Sequence, residues 1–310
     1  MSLALEVLRS LDLAEPTEAG RPPFLTAASG LVNVGDYLYV VADDEHHLGI
    51  FSRSQPHSGR LLRLLEGDLP AEPKARKAHK PDFEVLTVLP AFGPYPQGAL
   101  FVLGSGSKKR RYRGVILGLA ADGALNTEPL IIDLQPLYAE LAEHFADLNI
   151  EGAFINRYLN LLQRGNKAET SQNACIRLDL AHSLNAILQK QALTADLLIS
   201  IQPYALGEVQ GTPLGFTDAV ALPEGNWLFS AAAEATDHSY TDGELVAAAL
   251  GVINAQDELV YLTQLDNRYK IEGISAQVEG NSLHLLLVTD ADDPSQAAVL
   301  LQTQLSGYPF

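Results

Sequence analysis

Four short stretches of the sequence place an acidic residue at the head of an apolar run. They are residues 82–86, 149–153, 216–220 and 270–274, and their acids are Glu84, Glu151, Asp218 and Glu272. Carboxylates can transfer protons or bind a metal ion, and several in one place can do both. Because the pattern recurs, we expect strands that each begin with a carboxylate and gather these side chains around one axis.

The apolar runs divide the chain into repeated units. Each acid opens one run, and further runs rich in β-branched and aromatic residues follow, as is typical of strands. The units recur at intervals of roughly 55 to 67 residues and begin at Ser29, Glu84, Glu151, Asp218 and Glu272. The first four units have four strands each, whereas the fifth ends after its third strand, at residues 298–303.

The segment 3–13 can supply the missing strand, since it alternates well enough to be a strand and belongs to no unit of its own. Placed beside residues 298–303, it would complete the fifth unit and close a ring. We therefore predict a single all-β domain over residues 1–310, a five-bladed β-propeller closed by its N-terminal strand. A six-bladed ring is the alternative, although no sixth copy of the opening motif is found. Helical spacing is expected only in connections, at 137–145 and 180–193.

Composition narrows the classes of function. The chain has 310 residues, 47% of them hydrophobic, which is enough for a sizeable core. Its formal net charge of −17 disfavours nucleic acid and anionic membranes as partners and is compatible with cation binding. The N-terminus resembles no signal peptide, no apolar run is long enough to span a membrane, and the single Cys175 allows no intrachain disulfide. We expect a cytoplasmic protein in which Cys175 is a buried, inert thiol.

Propeller geometry predicts where the chemistry lies. The first strand of each blade lines the central channel, and the loop after the second strand lies on the same face as the loop before the first. A second set of residues should therefore join the first at the strand ends: Asp43, Ser105, Arg164, Glu234 and Asp290. Up to seven carboxylates would face one funnel, together with Arg164 and Lys108.

Crowded carboxylates repel one another, so their ionisation must be suppressed or balanced by a cation. Ca²⁺ suits a flexible cage of acids, carbonyls and water, whereas Mg²⁺ requires stricter octahedral geometry. Zinc is disfavoured because the sequence has no His/Cys set with ligand spacing. The predicted metal ligands are Glu84, Glu151, Asp218, Glu272, Asp43, Glu234 and Asp290.

The acids at the inner strands have a structural alternative. A carboxylate at the head of an inner strand can accept hydrogen bonds from backbone N–H groups of the next blade and so pin two blades together. The sequence allows Glu84, Glu151, Asp218 and Glu272 each to be a ligand or such a latch, and both interpretations stay open.

The other motifs give weaker evidence of a functional site. The loop at residues 290–293 lacks the ligand spacing of an EF-hand, and Gly104-Ser105-Gly106 lacks the Lys-Ser/Thr pair of a P-loop. His238, Ser239 and Asp242 share a loop but do not form the pattern of a catalytic triad. The basic run 108–113 is interpreted as a solvated face, or as a place where Lys108 or Arg111 meets an anionic ligand at the funnel rim.

The strand starts at Asp82-Phe83-Glu84, residues 149–153 and residues 270–275 resemble those of phytase-like and esterase-like propeller families. Residues 215–219 and 289–293 add to the likeness, and the whole chain resembles a family of uncharacterised bacterial proteins related to those propellers. The resemblance implies metal-binding acids on one face and hydrolysis of a phosphoester or ester. The blade count and the lack of a secretion signal depart from the calcium-phytase pattern.

Three functional hypotheses follow. The first is a propeller that binds Ca²⁺ and a small anionic ligand, in which Glu151 or Glu272 takes a proton and Arg164 stabilises the anion. The second is a non-catalytic scaffold for a ligand or a protein, with the acids as latches. The third is a five-bladed glycosidase with two channel carboxylates, which would need aromatic side chains for sugar stacking.

Overall fold

Five antiparallel sheets contain every strand longer than a single bridge in the described residues, and four of them are built from consecutive segments of the chain. The coordinates are a computed structural model that describes residues 3–166, 171–236 and 243–308. The chain begins with strand β1 (Glu6–Ser10). The first blade then comprises β2 (Ala28–Val34), β3 (Tyr37–Ala42), β4 (His47–Ser52) and β5 (Arg60–Arg63).

The next blades repeat this meander. The second comprises β6 (Phe83–Leu89), β7 (Ala99–Gly104), β8 (Arg113–Gly118) and β9 (Leu130–Asp133). The third comprises β10 (Ile150–Ile155), β11 (Leu159–Gln163), β12 (Asn173–Leu178) and β13 (Leu198–Tyr204). The fourth comprises the two-residue β14 (Glu208–Val209), then β15 (Thr212–Ala221), β16 (Trp227–Glu234), β17 (Leu245–Ile253) and β18 (Leu259–Gln264).

The fifth blade joins both ends of the chain. It contains β19 (Lys270–Glu279), β20 (Ser282–Asp290) and β21 (Val299–Ser306), and β1 pairs antiparallel with β21 as its outer strand. The predicted ring closure is thereby confirmed, and the five sheets exclude the six-bladed alternative for the described residues. The strand itself is shorter than the predicted segment 3–13.

The core lies between the blades. The inner strands β2, β6, β10, β15 and β19 each contact the inner strands on both sides. Five apolar clusters fill the five interfaces between blades. Each fully buried Leu or Phe contributes about 1.5–3 kcal/mol of transfer free energy, so the ring is held mainly by sheet-on-sheet packing. Cys175 is buried in one of these clusters, as predicted, and burial raises the pKa of its thiol to about 12.

The helices lie in the connections. Helices α2 (Gln135–His144) and α3 (Leu180–Leu188) occupy the two segments with helical spacing. Helix α1 (Pro73–Lys77) was not expected; Glu72 caps it by accepting hydrogen bonds from two backbone N–H groups. Three 3₁₀ turns complete the list: Lys109–Arg111, Ala195–Leu197 and Pro223–Gly225.

None of these helices, within the part of the chain that the structure describes, is long and apolar enough to cross a membrane. The cytoplasmic location stays a prediction.

Candidate functional site

Each inner strand has a β-bulge where it reaches the axis. The pairing register with the second strand shifts once in every blade, near the start of the inner strand in four blades and midway along β15 in the fourth. A bulge leaves one residue out of the ladder and re-aims its side chain. The residues at these bulges are Ser29, Glu84, Glu151, Thr217 and Glu272. The bulge is therefore the repeated feature, and an acid occupies it in three of the five blades.

Glycine beside a bulge lets the inner strands of neighbouring blades approach each other closely. A Cβ atom at Gly152 would lie 2.8 Å from the Cα atom of Asp218, and one at Gly273 would lie 2.6 Å from the backbone nitrogen of Leu31. Both distances are far below normal contact, so the backbones of adjacent blades meet at these positions. This close approach keeps the funnel narrow and its side chains within reach of one another.

The funnel opens on the face where the bulges lie and encloses about 810 Å³, its mouth included. Its described lining is almost entirely polar and combines seven carboxylates with five cations. The carboxylates belong to Asp43, Asp82, Glu84, Glu151, Glu234, Glu272 and Asp290, and the cations to Lys77, Lys80, Arg111, Arg164 and Lys270. No aromatic side chain is among the described lining residues.

Most of the residues named from the sequence meet here. Arg164 and all but one of the predicted metal ligands line the funnel: Asp43, Glu84, Glu151, Glu234, Glu272 and Asp290. The roles assigned to them stay predictions. Ser105 lies behind the wall, where its hydroxyl donates to Asp82, and Lys108 is exposed while Arg111 reaches the funnel. His238, Ser239 and Asp242 lie outside the described residues.

Asp218 lies elsewhere. Thr217 occupies the bulge position of the fourth blade, so Asp218, one residue later, points away from the funnel. Its carboxylate accepts hydrogen bonds from the N–H groups of Ala219 at 2.7 Å and Ile274 at 2.9 Å. It therefore joins the fourth and fifth blades as a latch and is not placed to be a metal ligand of the funnel.

Two cations hold three glutamates together on one side of the funnel. Arg164 lies 2.8 Å from Glu234, 3.3 Å from Glu151 and 4.0 Å from Glu272. Lys270 lies 2.8 Å from Glu234 and 3.2 Å from Glu272. We call these five residues the axial cluster. Its side chains are at most 12% exposed, so the charges interact through a medium of low polarity.

Burial changes the ionisation of this cluster. Burial raises the pKa of Glu151 to about 8, and Glu272 adds to the rise while Arg164 opposes it. Burial also raises the pKa of Glu272, against the effect of Lys270 and Arg164. A carboxyl with a pKa near neutrality can give or take a proton at physiological pH, which is the property of a general acid or base.

We expect Glu151→Gln to remove part of the pH dependence of stability. An acid whose pKa is higher in the folded state than in the unfolded state makes folding less favourable as pH rises between those values. For Glu151 this window extends from its ordinary 4.5 to about 8, with a slope of at most about 1.4 kcal/mol per pH unit. Urea unfolding gives the free energy of unfolding of both proteins at pH 5 and pH 8. The value for the variant, relative to that for the wild type, should be higher at pH 8 than at pH 5. An unchanged difference between the two pH values would contradict this assignment.

Three further carboxylates gather on the opposite side. One oxygen from each of Asp43, Asp82 and Glu84 lies within 4.8 Å of the others, which is close enough for a shared metal ion. We call these residues the acidic triad. Lys80 already pairs with Asp43 and lies 3.0 Å from Asp82.

Asp82 is held in an unusual conformation. Its φ angle is +58°, in the left-handed region that residues with a side chain seldom adopt. Lys80, Arg111 and Ser105 all bind its carboxylate and fix it there. Burial opposes its ionisation, but these partners outweigh burial and hold its pKa below its ordinary value. Backbone strain of this kind is typically kept where a side chain must be positioned for function.

Glu84 differs from the other acids. Across the described ranges, its carboxylate has no hydrogen bond and no ion pair within 4 Å, although it is partly buried in the funnel wall. Burial, then Glu151, Asp82 and Asp43, raise its pKa well above the ordinary value. Asp43 shows the same direction, to about 6, chiefly through burial. A carboxylate in this position is either protonated or in need of a cation.

Sequence reasoning missed three funnel residues, namely Lys80, Asp82 and Lys270, as working parts of the site, whereas Arg111 was one of the two basic residues named for the funnel rim. Asp82 and Lys270 had a signal, since each stands two positions before a bulge glutamate, as Asn149 does before Glu151. Asn149 donates to Glu151, so this position serves the neighbouring acid. Lys80 and Arg111 come from connections whose path the strand pattern does not predict.

Comparison with known proteins gives a family and a fold. The model of a family described only as a family of unknown function, DUF6929, matches residues 24–305. No protein of curated function matches the sequence at a significant level.

Two solved structures resemble the whole chain. One is a putative glycoside hydrolase from Parabacteroides distasonis, 9% identical, covering 98% of this chain and 97% of its own, with a TM-score of 0.52. The other is the catalytic domain of a GH62 alpha-L-arabinofuranosidase from Coprinopsis cinerea, 10% identical, with the same two coverages and TM-score. At such identities the likeness shows the fold alone. Neither these structures nor the family is described as a phytase or an esterase, so that part of the resemblance stays a prediction.

Proposed function

Since the chain belongs to this family of unknown function, we propose its activity from the funnel: a divalent-cation-dependent hydrolase that acts on a small anionic substrate. The cation, Ca²⁺, binds at the acidic triad. The observation that carries the proposal is Glu84, a carboxylate that faces two others and has no ion pair within 4 Å among the described residues.

The charge balance supports a divalent ion. Seven carboxylates and five cations line the described part of the funnel, which leaves a formal excess of two negative charges. One divalent cation neutralises this excess, and it would bring the pKa of Glu84 back down by stabilising the ionised form. Oxygen ligands from three carboxylates and water match the preferences of Ca²⁺.

The residues of the axial cluster then have defined tasks. A bound divalent cation supplies Lewis-acid polarisation of the scissile group and acidifies a water molecule. Glu151 accepts the proton from the attacking water, for which a pKa of about 8 is suited near neutral pH. Arg164 and Lys270 balance the negative charge that develops on the substrate. The same two cations favour an anionic substrate over a neutral one.

We expect added Ca²⁺ to raise the melting temperature of the wild-type protein and EDTA to reverse the shift, because a ligand that binds only the folded state stabilises it. Glu84→Gln should abolish the shift, since an amide keeps the shape of the side chain but removes its charge. Differential scanning fluorimetry with CaCl₂ or MgCl₂ measures both.

Glu128→Gln is the matched control, since Glu128 is exposed and is not among the residues that line the funnel, and it should keep the full shift. Equal shifts in Glu84→Gln and Glu128→Gln would remove the triad as the binding site. A panel of aryl phosphates and aryl esters then tests hydrolysis. Cation binding with no turnover on any substrate would favour the non-catalytic scaffold.

Glycoside hydrolysis is the second candidate. Both structural neighbours bear the names of glycoside hydrolases, and Glu151 and Glu272 share Arg164 at the axis with raised pKa values, as a pair of channel carboxylates would. The described lining offers no aromatic side chain for a sugar ring to stack on, which is why this candidate ranks second. Aryl glycosides belong in the same panel.

A further inference from the structure

The ammonium group of Lys80 lies in the acidic triad, at a position that a bound cation would need. Its ammonium group pairs with Asp43 and lies 3.0 Å from Asp82, between two of the three carboxylates within ligand distance of one another. Its side chain is only 12% exposed, so this is an ion pair inside the funnel wall and not a surface contact. An ammonium and a metal ion compete for the same carboxylate oxygens.

The backbone holds Lys80 at this position. The N–H of Lys80 donates to the carbonyl of Arg76 at 2.8 Å, and the guanidinium of Arg76 donates to Asp44 at 2.9 Å and to the carbonyl of Ala71 at 2.7 Å. The N–H of Asp82, two residues after Lys80, donates to the carbonyl of Asp43 at 3.1 Å. Because this segment is anchored, the ammonium group of Lys80 has a high effective concentration at the carboxylates of the triad.

Only the side chain of Lys80 is free to move out of the acidic triad. Four methylene groups separate the ammonium from the anchored backbone, and the funnel beside it is open to solvent through its mouth. A rotation of the side chain would vacate the oxygens of Asp43 and Asp82 without moving the strands. The ammonium would then reach water, where its hydration offsets the lost ion pairs.

We infer that Lys80 is a built-in competitor that occupies the cation site of the empty protein and determines its affinity by having to leave when a divalent ion binds. The inference rests on the proposed function. It concerns a residue that limits binding, whereas the proposed function concerns the ligands that provide it.

The inference predicts tighter binding when the competitor is removed. The site is free only in the fraction of molecules in which the Lys80 side chain has left the triad. The apparent dissociation constant for Ca²⁺ then equals the intrinsic constant divided by that fraction. Lys80→Met should therefore bind Ca²⁺ at least about tenfold more tightly than the wild type in isothermal titration calorimetry. Lys74→Met is the matched control, because Lys74 is an exposed lysine of the same segment, and its affinity should equal that of the wild type.

A measurement on the wild-type protein guards against a variant that fails to fold. Lys80 should resist reductive methylation in EDTA and become several times more reactive with saturating Ca²⁺, while Lys74 reacts equally in both. Peptide mass spectrometry measures both rates. A Lys80 that stays protected while the melting temperature shifts with Ca²⁺ overturns the inference, as does a Lys80→Met variant that binds no more tightly than the wild type.

The two proposals fail in different ways. If Lys80→Met binds Ca²⁺ and the wild type does not, the cation-dependent function of the natural chain is wrong, while the competition by Lys80 holds. If the wild type binds through Glu84 and Lys80→Met binds more weakly, the function holds and the competition is wrong. If neither protein binds Ca²⁺ or Mg²⁺, both are wrong.

Discussion

Replacing Arg164 with methionine is expected to lower the free energy of unfolding by about 3–5 kcal/mol at pH 7.5. Arg164 is the only guanidinium in the axial cluster, and it pairs with Glu151 and Glu234 while approaching Glu272. Its removal leaves three buried glutamates with Lys270 as the remaining cation of the cluster. Chemical unfolding followed by tryptophan fluorescence gives the value.

The pH dependence of this loss identifies its cause. Protonation removes the uncompensated charges, and burial already raises the pKa values of Glu151 and Glu272, so the cost of Arg164→Met should shrink as the pH falls from 7.5 to 5. The double variant Arg164→Met/Glu234→Gln should recover part of the loss at pH 7.5. Arg268→Met is the control, since Arg268 pairs with Asp266 at the surface, with a side chain 70% exposed, and its loss should be far smaller than that of Arg164→Met. Equal losses for Arg164 and Arg268 would contradict a buried cluster.

Gly273→Ala is expected to cost about 2–4 kcal/mol through one added methyl group. That carbon would lie 2.6 Å from the backbone nitrogen of Leu31 and 2.8 Å from the carbonyl carbon of Gly30. Backbone atoms cannot move aside as a flexible side chain can, so the first and fifth blades would have to separate at the axis. Urea unfolding of the purified variant measures the loss.

Gly280 offers a control in the same blade. It has φ at +58° and open space where a Cβ would stand, so Gly280→Ala should lose only the cost of a left-handed backbone, about 1–2 kcal/mol. If Gly280→Ala proved the more harmful of the two, close contact between the inner strands would not be what Gly273 provides.

The blade count could be predicted because the repeated unit carries its own signal. Each inner strand starts with a short polar residue or an acid followed by apolar residues, and the fifth unit lacks one strand that the segment before the first unit can supply. Alternation of side chains and turn residues reports on local structure, and a propeller consists mostly of local structure. Helix α1 was missed because five residues with a proline give no measurable period.

The site was predicted in outline but not in its balance of charge. Eight of the ten strand-end residues meet in one funnel, as propeller geometry requires, and the exceptions are Ser105 and Asp218. Asp218 was placed with the wrong set because the sequence shows an acid, whereas the bulge that decides the direction of the side chain depends on hydrogen bonding with β16. Lys80 and Lys270 were not recognised as counter-ions, so the excess of negative charge in the funnel was overstated. Their path to the funnel depends on how connections fold, which no periodic pattern records.

The pairing of β1 with β21 also has a consequence for how the protein is made. The two strands are joined by a side-chain hydrogen bond between residues 296 positions apart, Gln302 and Glu6. A ribosome that adds about 5–20 residues per second needs about 15–60 seconds to synthesise the chain between them. During that time β1 has emerged and its partner does not yet exist, while four blades can already form. Completion of the ring is thus a late event that awaits the synthesis of β21, and a nascent chain interrupted before β21 would present an open fifth blade to chaperones and proteases.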